Sequence, residues 1–540
     1  MWAIFARSKL AVLALASSAL GFDQTAVLPS WQPVFQEGRR LYEAEQFTRA
    51  VPVLEKALAL ARTNSASELE LADVSNTLGA AYEADGRVSE ARKMLLQALA
   101  IREKLLPPAS IELAVSLNNL ATLYWDTNQL SEADKYASRA VAIWVTLGNP
   151  ERVEYAATLN NLAAIRRAQG KPRDAIKLLV EARRIREHVR EPGDTGLTRV
   201  LSNMATAYKD AGDLAAADKI FQEALQVPNA QPAMTAELLN GFGNLRYEQG
   251  RFAEAESLLA RAIALETQLS PPDQLKLGIR HSNLGSVYRV MGKQEDARAQ
   301  FEEALAIFKR LPERAAAYLP AALNNFGLLC MDEKRFDEAE RLFRQAISLW
   351  ERDLCAPDPN SAAAYSNLAA LYKRQHRYDR ASELFQQVLV KDRASLSPYH
   401  PRLARDLTNV AAMESLRHHY RLSEDFLRQA LEIRQRTLGP AHIETAQSKE
   451  DLAQILWAEN RLKEAEGYYQ DALQTFESAW GPEDLRLLDK LERYAQLLYR
   501  NKDFAKARQA EVHAVRIKVK QAMNLSSGRT SAPKSWTPAQ

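Results

Sequence analysis

Leu117-Asn118-Asn119-Leu120-Ala121, Leu159-Asn160-Asn161-Leu162-Ala163 and Leu323-Asn324-Asn325-Phe326-Gly327 are one phrase written three times. Each stands the same distance ahead of an alanine that follows an acidic residue: Glu132-Ala133, Asp174-Ala175 and Glu338-Ala339. That alanine can be followed along the chain as Ala50, Ala91, Ala133, Ala175, Ala217, Ala255, Ala297, Ala339, Ala381, Ser423, Ala465 and Ala507. Successive spacings are 41, 42, 42, 42, 38 and then 42 six times, so a twelvefold repeat occupies most of the chain. Twelve residues before each marker stands Gly or Ala in every repeat, from Gly38 and Gly79 to Ala453 and Ala495. Three before it comes mostly a bulky residue, as in Phe47, Val88, Phe252, Phe336, Tyr378 and Phe504. Small residues at fixed columns let two helices approach closely, and bulky columns fill the space between them.

Inside a repeat the apolar period is helical. Leu117, Leu120, Leu123 and Tyr124 recur at three and four, a turn follows at Asn128-Gln129, and Leu130, Ala133, Tyr136, Ala137 and Ala140 resume the pattern. Glycine holds the turn in several repeats (Gly86, Gly170, Gly212, Gly250, Gly292), as a helix C-cap requires. Proline falls at ten of the eleven junctions, for example Pro107, Pro150, Pro271 and Pro440, where it stops a helix. Each repeat is therefore a helical hairpin. The single spacing of 38 removes about one turn of 3.6 residues. It predicts a shortened second helix in the fifth repeat, with an irregularity near Val227 to Pro232.

These columns resemble the tetratricopeptide repeat, in the 42-residue form of kinesin light chains and many bacterial proteins. The three Asn-Asn phrases carry the resemblance, together with Ala98 to Lys104 and Ala430 to Pro440, which look like the family's second helix and its extension. It covers residues 31–522. It implies an all-α, right-handed α-solenoid of about twelve stacked hairpins, whose first helices line a concave groove that binds peptides. No heptad coiled coil precedes the repeats, so a motor role does not follow from the resemblance.

Which residues could bind? Fourteen before the marker runs a column of asparagines: Asn119, Asn161, Asn203, Asn283, Asn325, Asn367 and Asn409. A second column beside it holds Asn76, Asn118, Asn160, Asn240 and Asn324. Asparagine inside a helix costs about 0.7 kcal/mol against alanine, so seven in register call for a reason. One reason is a ladder of amides offering donor and acceptor to an extended ligand, as related repeats hold peptides. The other is that each amide bonds to the neighbouring repeat and sets the stacking; one asparagine can do both. Beside this face sit Arg167, Lys209 and Arg289, candidate contacts for an acidic or aromatic peptide. Asp126, Asp210, Glu248 and Asp332 follow in the adjacent column, so the charges are interleaved and a solvated helix face is the plainer reading.

Composition narrows the function further. Lys+Arg (71) nearly balance Asp+Glu (68), which gives no overall drive toward nucleic acid or an anionic membrane. No HExxH, GxSxG or dinucleotide fingerprint occurs, and Gly285 to Gly292-Lys293 mimics a phosphate loop only faintly. His418-His419 are neighbours that point about 100° apart on a helix, a poor metal pair. The expectation is a non-enzymatic scaffold or adaptor for a protein or peptide ligand. No metal, small-molecule cofactor, nucleic acid or membrane span is expected. The two cysteines, Cys330 and Cys355, would sit roughly 28 Å apart along one hairpin, too far to bridge.

Residues 1–21 read differently from the array. Arg7 and Lys9 precede the apolar run Leu10 to Ala16, and Ser17-Ser18-Ala19 or Ala19-Leu20-Gly21 supplies small residues for cleavage, the order of a secretory signal peptide. Export to the periplasm or outside the cell is expected, with a linker at 22–30 and a disordered polar tail at 523–540. The alternative is an uncleaved N-terminal helix on a cytoplasmic regulatory subunit whose groove holds a partner enzyme's tail.

Overall fold

The computed structural model describes residues 30–526, apart from 45, 128, 149–151, 190–194, 229–230, 313 and 354–358. The signal-like segment, most of the polar tail and Cys355 lie outside the described residues. Among them the chain forms 24 helices, α1 (Trp31–Glu43) to α24 (Phe504–Ser526), paired as twelve hairpins. Two compact units divide them: α1–α14 up to Tyr318, and α15–α24 from Leu319. Within each unit every hairpin packs on the next, so each is a stack of helical hairpins with apolar side chains buried between them.

The small columns do what their size dictates. All twelve marker residues are fully buried, and the one hydroxyl among them, Ser423, donates to the carbonyl of Ala411 at 2.8 Å. Ala411 belongs to the facing small column, so that bond runs across the contact between the two helices of a hairpin. At Gly79 a β-carbon would lie 2.7 Å from Leu95, and at Gly327 2.7 Å from Phe343. Here the helices touch backbone to side chain and glycine is a packing requirement.

Each second helix begins at the bulky column, and its first ring often leans on the end of the first helix. Tyr42 meets Phe47 at 5.4 Å and Tyr247 meets Phe252 at 5.5 Å between ring centroids. The turn between them is a left-handed C-cap, in which an amide bonds back five residues, as Arg87 to Tyr82 and Arg335 to Cys330, both at 2.8 Å. Glycine takes the positive φ in the first unit (Gly170, +74°; Gly292, +75°), whereas Lys334, His376, His418, Asn460 and Lys502 take it in the second. Cys330 is a buried thiol. The expected irregularity is present: α10 (Leu214–Leu225) has 12 residues, against 17 in α8 (Pro172–His188) and 16 in α12 (Phe252–Thr267).

His400 and His442, at junctions between repeats, act as N-caps. Their Nδ1 atoms accept from the amides of Arg402 and Glu444, each at 3.2 Å. The phosphate-loop mimic dissolves. Gly285 lies inside α13 (Gln274–Val290), where an added β-carbon would meet the Phe301 ring at 3.0 Å, and Gly292 is a hairpin turn.

Candidate binding face

The asparagine columns lie on the first helices, as a pair in some repeats and singly in others: Asn118 and Asn119 on α5 (Ile111–Asp126), Asn160 and Asn161 on α7 (Val153–Ala168), and Asn203 on α9 (Gly196–Asp210). Asn240 lies on α11 (Pro232–Glu248), Asn283 on α13, Asn324 and Asn325 on α15 (Leu319–Asp332), Asn367 on α17 (Pro359–Arg374) and Asn409 on α19 (Pro401–Leu416).

Four amides reach back to the preceding repeat. Asn161 Nδ2 donates to Asn118 Oδ1 at 3.1 Å, Asn203 to Asn160 at 2.8 Å, Asn283 to Asn240 at 3.0 Å and Asn367 to Asn324 at 2.9 Å. The two columns are thus donor and acceptor of one brace, repeated at a separation of 43 residues. In other repeats the second column carries Ser202, Ser282, Ser366 or Thr408 instead of asparagine.

Exposure sorts the seven. Asn119 is 3% exposed and Asn161 4% exposed, whereas Asn203, Asn283, Asn325, Asn367 and Asn409 are only half-buried. Neither carboxamide atom of Asn119 is hydrogen-bonded among the described residues. A carboxamide that spends one N–H on its neighbour keeps a second N–H and a carbonyl lone pair, so the half-buried members can still pair with an incoming backbone.

The flanking cations are already engaged. Arg167 Nε lies 2.9 Å from Asp210, and Lys209 Nζ lies 3.0 Å from Glu248 and 3.3 Å from Asp210. Arg289 bonds to the Tyr247 hydroxyl, whose pKa burial nonetheless raises. Arg167 and Lys209 are therefore held in ion pairs that reach the next hairpin, whereas Arg289 is met by a tyrosine hydroxyl.

Sequence reading missed a second brace on the other helix. Eleven residues after the marker, the end of the second helix meets the next repeat's first helix fourteen residues on. Arg102 donates to Ser116 at 2.7 Å, Trp144 to Thr158 at 3.2 Å, and Arg434 to Ser448. Glu266 faces Arg280 with N and O 2.8 Å apart, off the N–H axis, so the contact is ionic without an aligned hydrogen bond. Asp392 faces Asp406. Charged residues recurring in an otherwise aromatic column (Trp144, Phe308, Trp350, Phe476) were the available signal. A cavity of about 770 Å³ lined by Arg344, Ile347, Tyr365, Leu368, Tyr372 and Leu384, on α16 (Phe336–Asp353), α17 and α18 (Tyr378–Ser395), also had no sequence signature. Its tyrosines are held by carboxylates, Tyr365 by Glu351 and Tyr372 by Glu340.

Comparison with known proteins agrees with this geometry. The tetratricopeptide repeat profile matches eight segments, residues 38–104, 70–144, 112–188, 154–230, 234–310, 318–389, 360–436 and 402–478. The chain belongs to the tetratricopeptide repeat family. Among solved structures, this repeat protein is similar to a chain described as a kinesin light chain of Podosopora anserina with nearly identical TPR-like repeats. The two share 25% identity over 37% of this chain and 95% of that one, with a TM-score of 0.32. It is also similar to BtubC of P. vanneervenii, at 24% identity over 46% of this chain and 95% of the other, with a TM-score of 0.38. A Rap protein solved with competence and sporulation factor shares the fold over 70% of the repeat chain and 99% of its own length, at 14% identity and a TM-score of 0.51. No curated protein compared with the chain matches it. No described helix is long and apolar enough to cross a membrane.

Proposed function

We propose that this tetratricopeptide repeat protein is a non-enzymatic scaffold that holds extended segments of partner proteins along the first-helix face of each unit. The observation that carries the reading is the half-buried asparagine set: Asn203 and Asn283 in the first unit, and Asn325, Asn367 and Asn409 in the second. Three of them spend an N–H on the stack and hold the remaining amide groups in fixed positions. Pre-positioned donors and acceptors lower the ordering cost of binding a flexible chain. Arg167 and Lys209 contribute through their ion pairs, offering a neutral rim, and Arg289 through its bond to the Tyr247 hydroxyl.

The test is a photo-crosslinking residue at Ala168, exposed seven positions beyond Asn161, beside the same residue at Val180 on α8. Position 168 should capture a partner segment and position 180 should not. Equal capture, or capture only from 180, contradicts the assignment of the face. We further propose export directed by residues 1–21. N-terminal sequencing of the natural protein should begin near Leu20 or Phe22. An intact Met1 would favour the cytoplasmic regulatory subunit instead.

A further inference from the structure

Among the described residues the last helix, α24, differs from the second helices stacked before it. Eight residues after the marker, the second helices of the second unit carry Ile347, Leu389, Leu431 and Leu473, all 3–7% exposed. The same column in α24 holds Val515, which is 57% exposed. Five after the marker, the earlier helices carry Arg344, Gln386, Arg428 and Gln470, and α24 carries Val512; twelve after it, they carry Glu351, Arg393, Gln435 and Glu477, and α24 carries Val519. Val512 is 55% exposed and Val519 46% exposed. At about 100° per residue the three valines fall within about 60° of one another, so they form one stripe. The outermost repeat of a stack ordinarily needs a polar outer face, and here polar residues have given way to valine.

The charge beside that stripe is inverted as well. One residue after the marker stand Glu340, Glu424 and Glu466, and each receives the cation of the following repeat: Arg377 at 3.3 Å, Arg461 at 2.6 Å and Lys506 at 2.5 Å. In α24 that position is Arg508. It and Arg516 flank the valines, and neither forms an ion pair among the described residues, whereas Lys506, Lys518 and Lys520 pair with Glu466, Glu492 and Glu483.

We propose that the outer face of α24 docks an acidic amphipathic helix of a partner protein, seated where a further first helix would stack and separate from the asparagine face. The stacking geometry supplies the shape, since every earlier apolar column of this kind is covered by a helix. The inversion to Arg508 supplies the sign, since the covering helix must bring the carboxylate that the array itself provides elsewhere.

The experiment uses the full chain and two labelled synthetic helical peptides of about 18 residues, five turns. Both carry a leucine stripe, flanked by glutamates in one and by lysines in the other. Fluorescence anisotropy should show the glutamate peptide binding at least about tenfold more tightly. Val515→Asp should abolish that binding, Arg508→Glu should transfer the preference to the lysine peptide, and Asn203→Ala should leave it unchanged. Both α24 positions are exposed, and circular dichroism checks that each variant keeps the wild-type helix content. Absent binding, equal binding of the two peptides, or binding indifferent to Val515→Asp overturns the proposal. So does a concentration-dependent dimer lost in Val515→Asp, which gives the face to a second copy. Binding that appears only after removal of residues 527–540 gives it to the chain's own tail. Flotation with phosphatidylglycerol vesicles in the absence of peptide binding gives it to lipid.

Discussion

Glu266 and Arg280 in the first unit occupy the same two columns as Asp392 and Asp406 in the second, and the outcome is opposite. In the first, a fully buried carboxylate meets a buried guanidinium at 2.8 Å, with Glu237 at 3.5 Å on the guanidinium's other side. In the second, two acids face each other. Asp392 is gripped by Arg402 at 2.6 and 2.8 Å, and among the described residues the ion pair of Asp406 is the looser one to Arg405 at 3.8 Å. Burial, followed by the neighbouring Asp392, pushes the Asp406 carboxyl up to about 7. One backbone register therefore accepts attraction, repulsion or, at Trp144 and Thr158, a neutral bond. What the fold requires at a junction is filled volume and close approach; the chemistry is free to vary.

The largest expected effect is at the attractive junction. Arg280→Met would strand Glu266 as a buried charge and should destabilise the first unit by about 3–5 kcal/mol, read by chemical denaturation. A change below about 1 kcal/mol would mean that water reaches the pair.

Asp406→Asn should act in the other direction and depend on pH. The folded protein keeps that proton up to about pH 7, whereas an unfolded aspartate releases it near pH 4. The folded state thus binds more protons in this window, and wild-type stability contributed by the site falls as pH rises through it. The variant should match wild type near pH 4 and exceed it by roughly 2–4 kcal/mol above pH 7. Equal pH profiles would show that the two acids do not share a proton.

The hairpin turns give the smallest contrast. Lys334 is exposed and adopts φ +61° where the first unit has glycine. Lys334→Gly should stabilise by about 1 kcal/mol and Gly292→Ala should destabilise by a similar amount, since a left-handed residue with a β-carbon costs about 1–2 kcal/mol. Thermal melts that move in the same direction for both would contradict the cap assignment.

The hairpins, their boundaries and the shortened α10 were legible because small residues and proline act locally: alanine at the marker and proline at the junction restrict the backbone wherever they stand. The junction pairs were not, because Asp392 and Asp406 are ordinary acids until stacking places them together. The asparagine face was half legible. Its column was plain from spacing, but only the structure shows Asn161 and Asn203 bonded to Asn118 and Asn160, and Arg167 and Lys209 already paired. A partner 43 residues away has no signature in either residue alone.

The account holds that the asparagine column both braces the stack and binds partners. Asn203→Ala with Asn283→Ala tests this most directly, in a thermal melt run beside capture of the segment crosslinked at position 168. Each change leaves an acceptor, Asn160 or Asn240, without its donor, costing about 1–3 kcal/mol, less about 0.7 kcal/mol of helix propensity gained. The melt should therefore fall, and capture should weaken as well, by roughly 0.5–1.5 kcal/mol for each hydrogen bond lost to the ligand. A lowered melt with undiminished capture would leave the column a brace alone and contradict the account.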